Sequence, residues 1–275
     1  MNILQVEQLC VSYGKASILH KLDLAIAAEK ITTIIGPNGC GKSTLLKAMG
    51  RIIKPTHGQV YLHGEELHRI PTRQIARSLA FLPQHPAAPP ELTVEELIAF
   101  GRFPHRRQSD RLSPDDREVI ARAMELTQVL DLRRRCLENL SGGERQRVWL
   151  AMILAQDTEI LLLDEPTTYL DMTHQLEMLK IISRLNRERQ CAIVMVLHDI
   201  NQAARFSHQI VAMRGGTIIA AGSPLETIKS DVLRKVFRIE ARVIADPYCG
   251  IPVCIGYDNT ADHKRLGNQT SGGRA

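Results

Sequence analysis

The chain has 275 residues, of which 44% are hydrophobic and 24% charged, with a formal net charge of +5. This length suits one α/β domain with an inserted or appended subdomain, and the mild, dispersed basic excess argues against a nucleic-acid partner. The longest apolar runs, residues 148–155 and 191–197, are far shorter than the ~20 residues needed to span a bilayer. The first seven residues lack the basic start and apolar run of a signal peptide. We therefore expect a cytoplasmic protein whose six cysteines, which form no Cys-x-x-Cys pair, stay reduced.

The first thirty residues have the pattern of half-buried strands. Apolar and polar side chains alternate in short runs over residues 3–11 and 17–26, which predicts a small antiparallel sheet. Residues 31–35 are a mostly apolar run typical of a buried strand, and residues 45–49 favour a helix. A glycine-rich loop lies between that strand and that helix.

This loop matches the pattern Gly-x-x-x-x-Gly-Lys-Ser in the strand, loop and helix order of a phosphate-binding loop. Backbone N–H groups can wrap a polyphosphate where glycine allows close approach and positive φ, and the following helix turns its positive end towards the anion. Lys42 supplies a charge for the β and γ phosphates, and Ser43 offers a hydroxyl to Mg²⁺. The predicted nucleotide-binding residues of the loop are Gly36, Pro37, Asn38, Gly39, Cys40, Gly41, Lys42, Ser43 and Thr44. Because Cys40 lies in the loop, we expect a bulky thiol reagent to inactivate the protein and ATP to protect it.

Prolines divide the middle of the chain. Residues 58–62 and 78–82 predict strands, and a proline cluster at residues 83–90 then breaks the periodicity. Beyond the prolines, apolar side chains recur at helical spacing. We predict a helical segment over residues 93–155, within a helical subdomain of about residues 86–155 inserted in the nucleotide-binding core.

The chain then returns to runs that are typical of buried strands. Residues 159–163 and 192–196 predict two strands separated by an amphipathic helix, which implies a parallel core sheet. The first strand ends in Asp164 and Glu165, at the sheet edge where α/β folds bind ligands. Asp164 would hold Mg²⁺ directly or through water. Glu165 can polarise an attacking water, because phosphoryl transfer to water needs an aligned nucleophile.

Two predictions concern the end of the chain. Residues 223–240 have a helical pattern, whereas residues 258–275 carry little apolar content and predict a flexible tail. The folded domain is therefore expected to span residues 1–257.

A second glycine-rich stretch, Leu-Ser-Gly-Gly-Glu-Arg-Gln at residues 140–146, opens a predicted helix. Ser141, Gly142 and Gly143 would expose N–H groups at the helix start and form another anion site, although one nucleotide hardly needs two such caps from one chain. The stretch is the signature of the ATP-binding cassette (ABC) ATPases, which this chain resembles over nearly its whole length. The resemblance implies an α/β P-loop NTPase fold with a mixed core sheet, a small antiparallel β-subdomain and the inserted helical subdomain.

The same resemblance implies roles for four further residues. Tyr13 matches the aromatic that stacks on adenine, and Gln84 matches the glutamine that senses Mg²⁺ and contacts the membrane partner. Asp171 matches the loop that crosses the dimer interface, and His198 matches the histidine at the γ-phosphate. The implied cofactors are ATP and Mg²⁺. The implied catalytic residues are Lys42, Gln84, Glu165 and His198, and the implied Mg²⁺ residues are Ser43, Gln84 and Asp164.

Partners follow from the resemblance as well. Two copies would sandwich two ATP molecules head to tail, with each phosphate loop facing the Ser141 helix of the other copy. Separate transmembrane permease subunits and, indirectly, a periplasmic or lipid-anchored binding protein are implied, with this chain peripheral on the cytoplasmic face of the bacterial inner membrane.

The finer resemblance is to importers of ferric siderophores, haem and cobalamin. Residues 100–105, 163–171, 196–205 and 245–253 look most similar to the ferric-siderophore subgroup, which we favour over haem or cobalamin cargo. Three other readings compete with transport. A soluble ABC ATPase should carry two cassettes or a long inserted arm, a regulatory cassette without turnover should lack Glu165 or His198, and a kinase should lack the signature at residues 140–146.

Overall fold

The computed structural model describes residues 2–106 and 111–259. The strands are β1 (Asn2–Tyr13), β2 (Ala16–Ala27), β3 (Ile31–Ile35), β4 (His57–Leu62), β5 (Glu65–Glu66), β6 (Leu79–Leu82), β7 (Ile160–Leu163), β8 (Ala192–Val196), β9 (Gln209–Arg214), β10 (Thr217–Gly222), β11 (Ile239–Ala245) and β12 (Pro252–Asn259). The helices are α1 (Lys42–Met49), α2 (Thr72–Ser78), α3 (Val94–Ala99), α4 (Pro114–Leu126), α5 (Gly142–Ala155), α6 (Met172–Arg189), α7 (Ile200–Phe206), α8 (Pro224–Thr227) and α9 (Ser230–Phe237).

The core is a mixed sheet with the strand order β10-β9-β3-β8-β7-β6. Neighbouring strands from β9 through β6 run parallel, and β10 pairs antiparallel with β9. Every residue of β3, β7 and β8 is buried, which explains why these strands are mostly apolar rather than alternating. Thr32 and Thr33 of β3 are the polar residues among them. The carboxyl ends of the parallel strands therefore meet at one sheet edge, as predicted from the sequence.

A second sheet, with the order β2-β1-β4-β5, is antiparallel and was also predicted. Helix α1 lies between this sheet and the core sheet. Its Leu45, Leu46 and Met49 are fully buried, in one apolar cluster with Leu19 of β2 and Ile34 of β3. The packing fixes the direction of α1, and with it the direction of the loop that precedes it.

The helical subdomain contains α3, α4 and α5, within the predicted range of 86–155. Each helix begins with a capping box, which satisfies two N–H groups at each start: Thr93 with Glu96, Ser113 with Asp116, and Ser141 with Glu144. Arg102, which follows α3, forms a buried ion pair at 2.8 Å with Asp116 of α4. Arg102 also donates to the Ala155 carbonyl at 2.9 Å. This contact joins α4 to the end of α5.

The C-terminal region corrects two predictions. The predicted helix over 223–240 is broken into α8 and α9, and it ends where Arg238 adopts φ 61°, a left-handed conformation that terminates a helix. Residues 239 and 240 belong to strand β11 instead. The predicted tail of 258–275 begins too early, because residues 258 and 259 pair with β11 in strand β12. Residues 260–275 lie outside the described residues.

Helix α2, the β9–β10 hairpin and the β11–β12 hairpin were not predicted. Across residues 2–106 and 111–259, no helix combines the length and apolar character that crossing a bilayer requires.

Candidate functional site

The phosphate-binding loop joins the buried end of β3 to α1. Gly39 and Gly41 adopt φ values of 75° and 102°, in the region that favours glycine. Lys42, which is 5% exposed, donates from Nζ to the carbonyls of Gly36 at 2.9 Å and Pro37 at 3.0 Å. The loop thus forms a cradle around a fixed ammonium group, a geometry that suits a polyphosphate.

Asp164 follows β7 directly and lies beside the start of α1. Its Oδ1 accepts a hydrogen bond of 2.8 Å from the Ser43 hydroxyl, and the side chain is 1% exposed. Burial raises the pKa of Asp164 above its ordinary value, with the Ser43 hydrogen bond opposing part of the rise. A buried carboxylate paired with a hydroxyl fits Mg²⁺, a cation that takes few protein oxygens and fills its other positions with water and phosphate.

Glu165 collects donors from three segments of the chain. Its Oε2 accepts from Gln84 Nε2 at 2.6 Å, His198 Nε2 at 2.8 Å and the Thr168 hydroxyl at 2.9 Å. Burial alone would raise the pKa of Glu165, but the hydrogen bonds from His198 and Thr168 outweigh it and the pKa is lowered. Glu165 also holds φ 53°, unusual for a residue with a side chain. The carboxylate is therefore ionised and fixed in direction.

Most of these groups line one cavity of about 460 Å³, although Asp164 and Thr168 are not among its described lining residues. Its lining residues are Ile18, Asn38, Gly39, Gly41, Lys42, Ser43, Thr44, Gln84, Glu165 and His198. The cavity lies at the edge where β3, β6, β7 and β8 end, and residues from five separate chain segments meet there. Its shape and chemistry can hold a triphosphate next to an ionised carboxylate.

Other predicted nucleotide contacts lie outside the lining of this cavity. Ser141, Gly142, Gly143, Asp171 and Tyr13 are not among the described residues that line this cavity. Ser141 caps α5 and is exposed, and a Cβ built on Gly142 would meet open space. Tyr13 is 51% exposed at the end of β1. Ser141, Gly142 and Asp171, which we call the signature surface, are therefore exposed to solvent in the single chain.

The sequence analysis missed two residues of the cavity region. Thr168 donates to Glu165, and Ile18 contributes an apolar wall from β2. The available signal for Thr168 was its spacing of three residues from Glu165, which lets a hydroxyl reach back to the carboxylate. Ile18 had no such signal, because its approach depends on the packing of β2 over α1.

The expectation for Cys40 needs correction. Its side chain is 4% exposed, and burial raises the pKa of the thiol, with Lys42 opposing the rise. Because the thiolate is the reactive form, a buried thiol with a raised pKa reacts slowly. Cys249, by contrast, is free and exposed.

The cradle of the phosphate loop, the buried Asp164 and the ionised Glu165 together define a P-loop nucleoside triphosphatase. Residues 19–168 match the family model of the ABC transporter. The chain is 51% identical over 266 residues, 97% of its length and 99% of the relative's, to the iron(3+)-hydroxamate import ATP-binding protein FhuC of Bacillus subtilis. It is 42% identical to the ferric enterobactin transport ATP-binding protein FepC of Escherichia coli, over 94% of this chain and 95% of that one.

A solved structure of an ATP-binding cassette is also similar to this chain. The dimeric post-hydrolysis state of the ATP-binding cassette MJ0796 bound to ADP and Pi matches with a TM-score of 0.70 and 27% identity, over 80% of this chain and 98% of that chain. The chain therefore belongs to the ABC transporter family, as the sequence predicted, and it is an ATP-binding ATPase of that family.

Proposed function

We propose that this chain is the ATP-hydrolysing subunit of a bacterial importer that takes up ferric siderophores through separate permease subunits. The observation that carries the proposal is the similarity, over nearly the whole of both chains, to relatives that serve ferric-hydroxamate and ferric-enterobactin transport. The geometry around Glu165 supports the hydrolytic half of the proposal, because it holds an ionised carboxylate beside the phosphate loop.

In this proposal the loop from Gly36 to Thr44 binds the phosphates. Its N–H groups contact the anion, and Lys42 places its charge at the β and γ phosphates. Ser43, Asp164 and Gln84 would hold Mg²⁺, which neutralises charge on the phosphate oxygens when bound. Asp164 would act here as a carboxylate, because Mg²⁺ and the hydrogen bond from the Ser43 hydroxyl would both favour its ionised form.

Glu165 orients the attacking water and accepts its proton. Gln84 and Thr168 hold the carboxylate in one direction, and an aligned water is what phosphoryl transfer requires. His198, whose side chain is 47% exposed and lines the cavity, would contact the γ-phosphate. Gln84 would also report the state of the permease, because it lies two residues after β6, within the proline cluster that leads into the helical subdomain.

The exposed signature surface supports a head-to-tail pair of copies. Ser141, Gly142, Gly143 and Asp171 would contact ATP held in the cavity of a second copy, and Tyr13 would stack on adenine in its own chain. The positive end of α5 forms an anion site that a second copy's phosphates can fill. The dimeric form of the MJ0796 cassette is consistent with this pairing.

The remaining partners follow from the importer role. The chain would lie on the cytoplasmic face of the inner membrane, in contact with two permease subunits, and a periplasmic or lipid-anchored binding protein would deliver the cargo outside. No nucleic acid takes part.

Cellular uptake tests the cargo. Cells that lack this chain are given the wild-type chain or Lys42→Ala, and labelled ferric hydroxamate, ferric catecholate, haem and cobalamin are offered in parallel. We expect the wild type to restore uptake of a ferric siderophore and Lys42→Ala to restore none. Uptake that depends on this chain for haem or cobalamin alone would replace the siderophore assignment, and unimpaired siderophore uptake with Lys42→Ala would exclude this ATPase as the motor.

A further inference from the structure

Two adjacent residues in the first turn of α6, His174 and Gln175, have no role in the site described above. Asp171 caps this helix, and its Oδ1 accepts from the backbone N–H of His174 at 2.9 Å. The same oxygen is 2.8 Å from His174 Nδ1. Since a carboxylate accepts hydrogen bonds, Nδ1 carries the proton and donates. The Asp171 carboxylate therefore accepts hydrogen bonds from both the backbone N–H and the imidazole of His174.

The other side of the His174 ring lies on Gly143. A Cβ added to Gly143 would come within 3.0 Å of His174 Cδ2 and 3.4 Å of Cγ, so the ring occupies the space that a side chain would need. Gly143 is buried, whereas its neighbours Ser141 and Gly142 are exposed. One imidazole thus joins the start of α5 to Asp171 at the start of α6.

Gln175 extends the connection to a third segment. Its Nε2 donates to the Leu170 carbonyl at 2.9 Å, and its Oε1 accepts from Gln202 Nε2 at 2.8 Å. Gln202 lies in α7, which is capped by Asp199, the residue after His198. The segment that carries Asp171 is therefore tied both to α5 and to the helix that follows His198.

A further bond supports the same segment from its other end. Gln146 of α5 donates from Nε2 to the Pro166 carbonyl at 3.0 Å. Residues 166–171 are thus held by α5 at their start and by His174 and Gln175 at their end. Hydrogen bonds therefore connect this segment to α5 at its start and to α6 at its end.

We propose that His174 and Gln175 are positioning residues that set Asp171, Ser141 and the His198 segment in one fixed relative orientation for pairing with a second copy. The inference rests on the head-to-tail pairing of the proposed function. Ser141 and Asp171 come from different helices, yet they must meet the same partner surface at the same moment. A fixed orientation removes the entropy cost of ordering these groups on association.

Exposure separates this role from simple stabilisation of the single chain. The His174 side chain is 45% exposed and Asp171 is 66% exposed, and a contact so open to water contributes little to folding. The hydrogen bond between His174 and Asp171 becomes stronger when a second copy covers it and excludes water. The helix cap is also independent of the imidazole, because Asp171 accepts from the His174 backbone N–H in every variant at position 174.

The test uses ATP-dependent dimerisation of the full chain in a Glu165→Gln background, in which hydrolysis is suppressed. His174→Asn keeps a donor near the position of Nδ1. His174→Phe keeps a ring over Gly143 and removes that donor. Gln175→Glu keeps the acceptor for Gln202 and removes the donor to Leu170. Each protein is measured for dimer dissociation constant by sedimentation, for ATP affinity of the dilute monomer, and for thermal unfolding.

We expect His174→Phe and Gln175→Glu to raise the dimer dissociation constant by roughly three- to tenfold each, the effect of one hydrogen bond. We expect His174→Asn to stay within about twofold of the parent, since its donor is kept. Monomer ATP affinity should not change, because neither residue lines the described cavity.

Three results would overturn the inference. Dimerisation of His174→Phe equal to the parent would remove the role of the imidazole donor, and an equal defect in His174→Asn would show that the donor is not the cause. A loss of monomer ATP affinity that matches the dimer defect would assign these residues to general stability. If the Glu165→Gln parent itself does not dimerise with ATP, the proposed pairing fails first, and this outcome is visible before any variant at 174 or 175 is compared.

Discussion

His198 Nε2 donates to Glu165 Oε2 over 2.8 Å, so one hydrogen bond joins the segments that follow β7 and β8. Both residues line the cavity that the phosphate loop also lines. It keeps the Glu165 carboxylate ionised, because a hydrogen bond to the charged form lowers the pKa of the acid. Turnover should therefore depend on the charge of Glu165 more than on its shape.

Glu165→Gln tests this dependence. The amide preserves the size of the side chain but cannot accept a proton from water, so we expect kcat for ATP hydrolysis to fall on the order of 10²–10³-fold. ATP should still bind, because the phosphate loop is untouched, and a closed dimer should accumulate. Steady-state phosphate release and sedimentation with ATP measure the two effects.

Thr168→Ala is the matched control for that experiment. It removes one of the donors to Glu165 Oε2 but leaves the carboxylate and the donors from Gln84 and His198 in place. We expect a smaller loss of kcat than for Glu165→Gln. Near-normal turnover by Glu165→Gln would contradict the assignment of Glu165 as the base.

The buried ion pair of the helical subdomain gives a stability prediction. Asp116→Ala leaves the Arg102 guanidinium, in a side chain only 8% exposed, without its 2.8 Å partner. We expect the free energy of unfolding to fall by about 3–5 kcal/mol, as for other uncompensated buried charges. Glu118→Ala, at an exposed position on the same helix, is the control and should stay within about 0.5 kcal/mol of the wild type. Equal effects of the two variants in urea unfolding would contradict the account.

The same pair predicts a dependence on pH. Burial would raise the pKa of Asp116, but the hydrogen bonds from Arg102 and Ser113 outweigh burial and lower it. Asp116 therefore takes up a proton at higher pH in the unfolded chain than in the folded one. The stabilisation from this ion pair is complete above about pH 4, and it is lost as pH falls through the folded-state pKa of Asp116. The difference in unfolding free energy between wild type and Asp116→Ala should be constant from pH 7 to pH 5 and narrow below about pH 4. A difference that widens on acidification would refute the assigned sign.

Thiol labelling distinguishes the two cysteines discussed above. We expect a maleimide to modify Cys249 first and to leave Cys40 unreacted while ATPase activity persists, since Cys249 is exposed and Cys40 is buried with a raised pKa. Cys249→Ser should abolish the fast labelling, as measured by mass spectrometry of the peptides. Rapid loss of activity in Cys249→Ser, with the label on Cys40, would restore the original expectation from the sequence.

Sequence predicts this site well where the chemistry is local. The loop of Gly36 to Thr44 and the placement of Asp164 and Glu165 follow from glycine spacing and from an apolar strand that ends in carboxylates. The core sheet could be predicted because every residue of β3, β7 and β8 is buried, and these strands are therefore mostly apolar.

Contacts between distant segments escaped prediction for a physical reason. The pairing of β11 with β12 depends on non-local hydrogen bonds, so residues 239 and 240 looked helical from their neighbours alone. The Arg102 and Asp116 pair is buried by the packing of three helices, and no local pattern marks a charged residue as buried. The contact of His174 with Gly143 joins residues 31 positions apart, and it became visible in the packing of α5 against α6.

Transport by purified components tests the central claim most directly. The chain and a siderophore permease are reconstituted in vesicles with ATP on the side of this chain, and labelled ferric siderophore is supplied on the other side with its binding protein. The account predicts ATP-dependent accumulation of iron with the wild-type chain and background accumulation with Glu165→Gln. Equal accumulation with the two proteins, or accumulation that does not require ATP, would contradict it.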